Sequence, residues 1–226
     1  MLWKWVNSGL QVFILDLDGT LIPSAEIDNE CFWQAVFACF GESDSLPDPH
    51  NFKNVTDNGI LNEWCLRELG RLPRVQETTR VRQIFLQRLE SAAIQQPKHF
   101  NPLPGVAQWL KAVNDNNFSI AGIATGGWAH SARLKLQLSG LDRFNLPLAS
   151  SDDAQTRTEI MQVAVRKTLD HLPQTGVGFT YVGDRTWDLQ ASQKLGWEFI
   201  GIAEGARAVQ LRKAGASHVR ADFRKT

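Results

Sequence analysis

Apolar runs alternate with amphipathic helical patterns along the second half of the chain. The apolar runs cover residues 120–124, 144–149, 177–182 and 199–202. The helical patterns that alternate with them cover residues 106–113, 129–138, 159–169 and 189–195. Near-continuous apolar strands that alternate with helices are typical of a parallel sheet covered on both faces. With a further apolar run at 12–15, the pattern predicts an α/β fold with a doubly wound parallel sheet.

Three helical patterns separate the first predicted strand from the rest of the sheet. Capping and helix-breaking residues mark them: Ser24 and Gly41 bound the first, Gly70 ends the second, and Pro73 and Pro97 bracket the third. No strand pattern interrupts this block. We therefore expect residues 23–98 to be an insertion into a core formed by residues 1–22 and 99–226.

The composition is that of an ordinary globular protein. Of the 226 residues, 43% are hydrophobic and 21% charged, which is enough for one large domain or a core with a modest insertion. Lys and Arg together number 24, as do Asp and Glu, so the basic excess typical of nucleic-acid-binding proteins is missing. No apolar run approaches the roughly 20 residues of a membrane span. We expect a cytoplasmic protein with no nucleic-acid or membrane partner.

Polar residues that could perform chemistry follow several of the predicted strands. They are Asp16 and Asp18, Thr125 with Gly126, Arg157, and Asp184 with Asp188. In a doubly wound sheet, ligands bind outside the carboxyl ends of the strands. We therefore expect these residues to meet at one edge of the sheet, and their convergence indicates a site more strongly than any one of them alone.

Asp16 and Asp18 stand two residues apart at a predicted strand end, next to Gly19. One carboxylate can serve as a nucleophile and the other as a general acid if their surroundings separate their pKa values. A carboxylate nucleophile suits phosphoryl transfer through an aspartyl-phosphate. The alternative is a solvated turn in which the Asp-Gly pair serves only the backbone geometry.

The acidic residues at two strand ends also predict a metal site. Mg²⁺ prefers carboxylate oxygens, water and substrate phosphate, and Asp16 with Asp184 is a sufficient acidic pair. Asp188, one helical turn further, can orient the site through Asp184 or a bound water. It can equally be a first-turn aspartate favoured by the helix dipole.

Two further features predict an anion-binding site. Thr125 and Gly126 lead into a helix, which brings a hydroxyl, backbone amides and a helix N-terminus together; the alternative is a capped helix after a turn. Arg157 stands at the first position of a later helix, inside a capping box of Thr156 and Glu159. A cation there opposes the helix dipole by roughly 0.3–1 kcal/mol, which is easier to understand if Arg157 binds an anion than if it is a solvated arginine.

Four segments resemble, in order, the motifs of the haloacid dehalogenase-like (HAD) superfamily, in the phosphatase branch that includes phosphoglycolate phosphatase-like and β-phosphoglucomutase-like proteins. They are residues 13–22 (FILDLDGTLI), residues 123–126 (IATG), Arg157 before a helix, and residues 182–188 (VGDRTWD). The resemblance covers the whole chain and implies a Rossmann-like core with the inserted block as a helical cap over the site. The chain departs from the family pattern at Arg157, where relatives usually carry lysine, and at Pro23, where many carry a polar residue.

The resemblance also implies a role for each residue of the site. Asp16 would be the nucleophile and Asp18 the general acid and base. Mg²⁺ would be held by the Asp16 carboxylate, the backbone carbonyl of Asp18 and Asp184, while Thr125 and the Gly126 amide would hold the phosphate. We therefore expect Mg²⁺-dependent hydrolysis of a small phosphorylated metabolite, a phosphate monoester, through an aspartyl-phosphate intermediate.

Other functions remain possible on the same scaffold. A phosphomutase of the β-phosphoglucomutase type would share the cap but pass its aspartyl-phosphate on instead of hydrolysing it. A 2-haloacid dehalogenase is less consistent with the residues, because a halide leaves without a proton and without Mg²⁺, so Asp18 and Asp184 would have no purpose. A non-catalytic protein that binds phosphate esters is the remaining alternative.

Overall fold

A single parallel sheet forms the centre of the molecule. The computed structural model describes residues 9–41, 47–170 and 176–224. The strands are β1 (Leu10–Leu15), β2 (Ser119–Ala124), β3 (Leu148–Ala149), β4 (Val177–Gly183), β5 (Glu198–Ile202) and β6 (His218–Arg220). Their order is β3-β2-β1-β4-β5-β6 and every pairing is parallel. The chain therefore builds outward from β1 on one side and from β4 on the other, which places a topological switch point between these two strands.

Eight α-helices accompany the sheet in the described residues. They are α1 (Ala25–Phe40), α2 (Asp57–Leu69), α3 (Val75–Gln95), α4 (Val106–Asn114), α5 (Ala129–Leu138), α6 (Arg157–Leu169), α7 (Thr186–Leu195) and α8 (Gly205–Lys213). Within these residues, no helix combines the length and the hydrophobicity that a membrane span requires.

Both faces of the sheet are buried, which explains why its strands are apolar at nearly every position. Along β1, Phe13 and Leu15 point into one apolar cluster, which also contains Trp109 of α4. Val12 and Ile14 point into a second cluster, on the other face, with Met161 of α6. Successive side chains of a strand alternate between faces, so a strand covered on both sides needs apolar residues throughout. The α/β fold with a Rossmann-like parallel sheet is thus confirmed.

Helices α1, α2 and α3 form a third apolar cluster of their own. The side chain of Thr56 caps α2 by accepting a hydrogen bond from the Gly59 amide (3.1 Å), and α2 ends at Gly70 in the left-handed conformation. Trp128, from the loop before α5, packs into this cluster and joins the helical block to the core. The division into a cap at 23–98 and a core at 1–22 and 99–226 stays a prediction, and residues 1–8 lie outside those described.

Some local features differ from the sequence-based expectations. The predicted strand at 144–149 is confined to Leu148–Ala149, because Asn145 adopts a positive φ of 48° after a short 3-10 helix. Helix α8 and strand β6 were not predicted. Strand β6 gives no apolar run, since it has only three residues and none of them is buried. Ser24 precedes α1 as expected, but its side chain makes no capping hydrogen bond. Its hydroxyl donates instead to Asp18.

Candidate active site

The register of the sheet brings the predicted site residues to one edge. Leu15, the last residue of β1, pairs with Ile123 on β2 and with Val182 on β4. Asp16 is therefore level with the ends of both neighbouring strands. Thr125 follows one of them and Asp184 the other, so the three residues stand side by side at the switch point.

A cavity of about 320 Å³ opens at this edge of the sheet. Six of the seven predicted site residues line it: Asp16, Asp18, Thr125, Gly126, Arg157 and Asp184. The seventh, Asp188, is fully buried behind the cavity wall. Residues of the helical block, among them Asp28 and Asp57, line the opposite side.

Asp16, Asp184 and Asp188 form a buried acidic triad. One carboxylate oxygen from each lies within 4.8 Å of the others. Asp184 Oδ1 and Asp188 Oδ1 are buried and accept no hydrogen bond from the described residues. Burial raises the pKa of Asp16 well above its usual range, and repulsion by Asp188 adds to this effect; burial also raises the pKa of Asp184 to about 7. Crowded, desolvated carboxylates with free oxygens suit a divalent cation with a preference for oxygen ligands.

Three arginines contact the triad. Arg157 Nη1 lies 3.1 Å from Asp16 Oδ1 and 3.2 Å from Asp188 Oδ1. Arg185 Nε and Arg207 Nη1 both contact Asp184 Oδ2, at 2.9 Å and 3.1 Å. Arg157 opens α6 inside the capping box of Thr156 and Glu159, as the sequence predicted. A cation at this unfavourable helix position is thus paired with the carboxylates of the site rather than solvated.

Both carboxylate oxygens of Asp18 accept hydrogen bonds from residues outside the triad. Ser24 Oγ donates to Asp18 Oδ1 at 2.5 Å, and Lys135 Nζ donates to Asp18 Oδ2 at 2.5 Å. Lys135 also donates to Asp28 Oδ1 on α1, at 2.7 Å. Burial lowers the pKa of Lys135, but the carboxylates of Asp18 and Asp28 more than offset this effect and raise it, so the ammonium group stays charged. The metal-ligand role implied for the Asp18 carbonyl stays a prediction.

Asp188 does more than orient the site from outside, because it contacts residues of the site directly. Its Oδ2 accepts a hydrogen bond from the Arg185 amide at 3.1 Å, which is the capping interaction of a first-turn aspartate. Its Oδ1 lies 3.2 Å from Arg157 Nη1, which also contacts Asp16. The two interpretations of Asp188 are therefore compatible, because one oxygen serves the helix and the other faces the site.

The loop after β2 lines the cavity and leads into α5, and its predicted role in binding an anion stays a prediction. Thr125 Oγ1 accepts a hydrogen bond from the Gly127 amide at 3.1 Å, and α5 begins two residues later. A Cβ at Gly126 would lie 2.8 Å from Arg157 Nη2 and 2.9 Å from Val55 O. Only glycine fits there, so the loop backbone can approach both the arginine and the cavity.

Sequence reasoning missed several residues that the structure places at the site. Lys135 is the clearest case, and a signal was available: it shares the buried face of α5 with Ser131, Ala132 and Leu136, where a lysine is unusual. Arg207 could not be found, because α8 was not predicted. Asp28 and Asp57 lie on helices of the inserted block, and their orientation toward the cavity depends on how those helices pack.

Comparison of the sequence with known families gives one clear result. A family model described as haloacid dehalogenase-like hydrolase matches residues 13–202. This match begins in β1 and ends with β5, so it includes every predicted site residue. No curated protein sequence matches the chain significantly.

Several solved structures share the fold over nearly their whole length. A hydrolase from Pseudomonas syringae has a TM-score of 0.70 and 23% identity, with 94% of each chain covered. CbbY from Rhodobacter sphaeroides, solved in complex with phosphate, has a TM-score of 0.68 and 18% identity, with 95% of each chain covered. A predicted phosphoglycolate phosphatase from Haemophilus somnus has a TM-score of 0.64 and 15% identity, also with 95% of each chain covered. At these low identities, the similarity shows a common fold.

Proposed function

Because the chain belongs to the haloacid dehalogenase-like hydrolase family, we propose that it hydrolyses a small phosphate monoester, with Mg²⁺, through an aspartyl-phosphate intermediate. The observation that carries this proposal is the buried triad of Asp16, Asp184 and Asp188 with Arg157 against it. This arrangement supplies a carboxylate nucleophile, a cation site and a fixed positive charge at one point of the cavity.

Asp16 is held in one orientation for nucleophilic attack. Thr20 Oγ1 donates to Asp16 Oδ2 at 3.3 Å, and Arg157 Nη1 donates to Asp16 Oδ1 at 3.1 Å. A carboxylate oxygen of Asp16 forms a bond to phosphorus while the bond from phosphorus to the ester oxygen breaks. Protonated Asp18 gives its proton to the departing oxygen. Asp18 then accepts a proton from a water molecule that attacks phosphorus, which releases inorganic phosphate and restores Asp16.

The residues present fit Mg²⁺. The free oxygens of the triad suit a hard cation, and we propose that Asp16, Asp184 and the Asp18 carbonyl hold it, with Asp188 supporting them. When bound, Mg²⁺ would neutralise charge on the phosphoryl oxygens. Arg185 and Arg207 hold Asp184 in place through its Oδ2, which leaves Oδ1 free for the site.

Groups of the protein itself neutralise the remaining charge of the transferring phosphoryl group. Arg157 presents a guanidinium group next to the nucleophile. Thr125 and Gly126 line the same cavity, and we propose that the Thr125 hydroxyl and the Gly126 amide donate to the other phosphoryl oxygens. Preorganised donors of this kind act most strongly in a site that excludes water.

Phosphate release from an aryl phosphate tests the proposal. We expect release with Mg²⁺, none in EDTA, and none from Asp16→Asn. The matched control is Asp115→Asn, an equal change at an exposed residue whose only described charge partner is Lys111; it should keep full activity. Substantial release by a pure Asp16→Asn sample would contradict the nucleophile assignment.

Product analysis separates hydrolysis from a phosphomutase reaction. With a sugar phosphate as substrate, hydrolysis gives free phosphate, whereas a mutase gives an isomeric sugar phosphate. We expect free phosphate, in amounts equal to the substrate consumed.

A further inference from the structure

The cavity has an acidic wall opposite the proposed phosphate site. Seven carboxylates are among the described residues that line the cavity, and four of them come from the helical block: Glu26, Asp28, Asp48 and Asp57. The same lining has only two guanidinium groups, those of Arg157 and Arg185, besides the imidazole of His50. Both arginines already contact carboxylates of the core, Arg157 at Asp16 and Arg185 at Asp184. Lys135 is fully buried and is not part of the lining. The helical block thus supplies no Lys or Arg side chain to the cavity from its described residues.

Two carboxylates of the helical block, Asp28 on α1 and Asp57 on α2, stand beside Asp18. We call them the cap carboxylates. Asp28 shares the ammonium group of Lys135 with Asp18. Because Asp18 is the proposed proton donor to the departing oxygen, Asp28 lies on the side of the leaving group.

Asp57 is fixed to the phosphate-binding loop. Its Oδ2 accepts a hydrogen bond from the Trp128 amide at 2.8 Å, and its own amide donates to Gly126 O at 2.8 Å. Asp57 is largely buried, with 8% of its surface exposed, and it is one of the residues that line the cavity. Its position relative to the phosphate site is therefore set by direct contacts with the core.

Each cap carboxylate keeps one oxygen free. The described residues donate hydrogen bonds to Asp28 Oδ1 and Asp57 Oδ2, but none to Asp28 Oδ2 or Asp57 Oδ1. Burial raises the pKa of Asp57 well above its usual range, and repulsion by Asp28 adds to this effect. Burial also raises the pKa of Asp28, to about 6. Another anion in this desolvated site would raise both pKa values further, whereas an ammonium group or a hydroxyl donor would lower them and stabilise the carboxylates.

We propose that the leaving group of the substrate carries no negative charge and presents hydroxyl or ammonium donors to Asp28 and Asp57. This inference rests on the proposed function, since it concerns the part of a phosphate monoester that departs. It excludes, as preferred substrates, esters whose leaving group bears a carboxylate or a second phosphate. Donors on a neutral or cationic leaving group would satisfy the two free oxygens. An anionic leaving group would meet carboxylates instead, and the described residues of the helical block place no Lys or Arg side chain in the cavity lining to pair with it.

A series of three nearly isosteric phosphate esters tests the charge of the leaving group. They are 2-aminoethyl phosphate, 2-hydroxyethyl phosphate and 2-phosphoglycolate, whose leaving groups are cationic, neutral and anionic. We expect kcat/KM for each of the first two to exceed that for 2-phosphoglycolate by about tenfold or more. If turnover of these short esters is too slow, their inhibition constants against an aryl phosphate should follow the same order.

Asp57→Asn tests whether the cap carboxylates cause the discrimination. In this variant the side-chain amide oxygen can still accept a hydrogen bond from the Trp128 amide. The ratio of kcat/KM for 2-hydroxyethyl phosphate to kcat/KM for 2-phosphoglycolate should decrease severalfold. Asp28→Asn is a second variant for the case that Asp57→Asn does not fold. Asp115→Asn, at an exposed position on α4's C-terminal side, is the control and should leave the ratio unchanged.

The outcomes separate this inference from the proposed function. A preference for 2-phosphoglycolate, or an unchanged ratio in both cap variants, would overturn the inference while Asp16-dependent phosphate release upheld the function. Absence of Asp16-dependent release from every ester would overturn the proposed function and the inference with it.

Discussion

Lys135 Nζ lies 2.5 Å from Asp18 Oδ2, although lysine and aspartate come from helix α5 and from the loop after β1, far apart in sequence. The same ammonium group bonds Asp28 on α1. The side chain of Lys135 is completely buried. The ammonium group of Lys135 thus holds Asp18, the proposed proton donor, in one orientation. Because the same group binds the helical block through Asp28, one side chain serves both catalysis and the packing of that block.

Lys135→Met should reduce the hydrolysis of alkyl phosphates more than the hydrolysis of activated aryl phosphates. An alkoxide needs the proton that a correctly placed Asp18 supplies, whereas a nitrophenolate leaves without it. We expect kcat/KM for an alkyl phosphate to fall by about tenfold or more beyond the loss for p-nitrophenyl phosphate. The variant should also be less stable, by on the order of 1–3 kcal/mol, because two partly buried carboxylates lose the buried ammonium group that they share.

Lys111→Met is the matched control for this substitution. Lys111 is exposed and pairs with exposed Asp115, an interaction worth about 0–1 kcal/mol. An equal loss on alkyl and aryl substrates in Lys135→Met would show that Lys135 supports the fold but does not position Asp18.

Gly126→Ala should disrupt the phosphate-binding loop, whereas Gly127→Ala should be tolerated. The added methyl group at Gly126 would press on the Arg157 guanidinium and on a backbone carbonyl, at 2.8 Å and 2.9 Å. At Gly127 the nearest atom would lie 3.4 Å away, at Thr125 Oγ1. We expect Gly126→Ala to lower kcat/KM by about tenfold or more, because it displaces the Arg157 guanidinium. Overpacking should also lower stability by about 1–3 kcal/mol. Steady-state kinetics of the two variants provide the comparison, and equal activities would contradict this account of the loop.

Arg157→Lys should keep only part of the wild-type activity. Its guanidinium contacts Asp16, Asp188 and the carbonyl of Val55 at once. A lysine keeps the charge but not the planar array of donors. We expect Arg157→Met to lower kcat by about 10²–10³-fold, as for loss of one stabilising donor, and Arg157→Lys to fall between this variant and wild type. A fully active Arg157→Met would exclude Arg157 from the stabilisation of the phosphoryl group.

The sequence predicted those parts of the site that depend on strand ends. Apolar runs located β1, β2 and β4, and the carboxyl ends of parallel strands meet at one edge, so Asp16, Thr125 and Asp184 could be brought together without coordinates. Lys135 and Asp57 could not be placed in this way. Their contacts depend on how helices pack across the cavity, and helical periodicity alone does not give the relative orientation of two helices.

Strand β3 shows a local limit of the apolar pattern. The predicted strand at 144–149 contains Asn145 and Pro147 among its apolar residues, and only its last two residues join the sheet. Asn145 takes a left-handed backbone conformation after the short 3-10 helix and breaks the run. Hydrophobicity indicates burial at such a position, but the backbone conformation decides whether a strand forms.

The contribution of Asp28 to stability should depend on pH. Burial raises its pKa from 3.8 to about 6 in the folded protein, so the folded state binds this proton more tightly than the unfolded state. The stabilisation is therefore fully present below about pH 4 and is lost as pH rises through 6. The free energy of unfolding of wild type relative to Asp28→Asn should fall over this interval by on the order of 1–3 kcal/mol and stay level above it. Denaturant unfolding in EDTA measures the difference, and a constant or rising difference would contradict the prediction.

The central claim is that Asp16 carries the phosphoryl group during turnover. Its most direct measurement is mass spectrometry of acid-quenched single turnovers, in wild type and in Asp18→Asn. Because p-nitrophenolate leaves without a proton from Asp18, whereas hydrolysis of the intermediate needs Asp18 to activate water, p-nitrophenyl phosphate is the substrate. We expect phosphate on the peptide that contains Asp16, with more of it in Asp18→Asn than in wild type. Turnover without any phosphorylated Asp16 peptide in either protein would contradict the account.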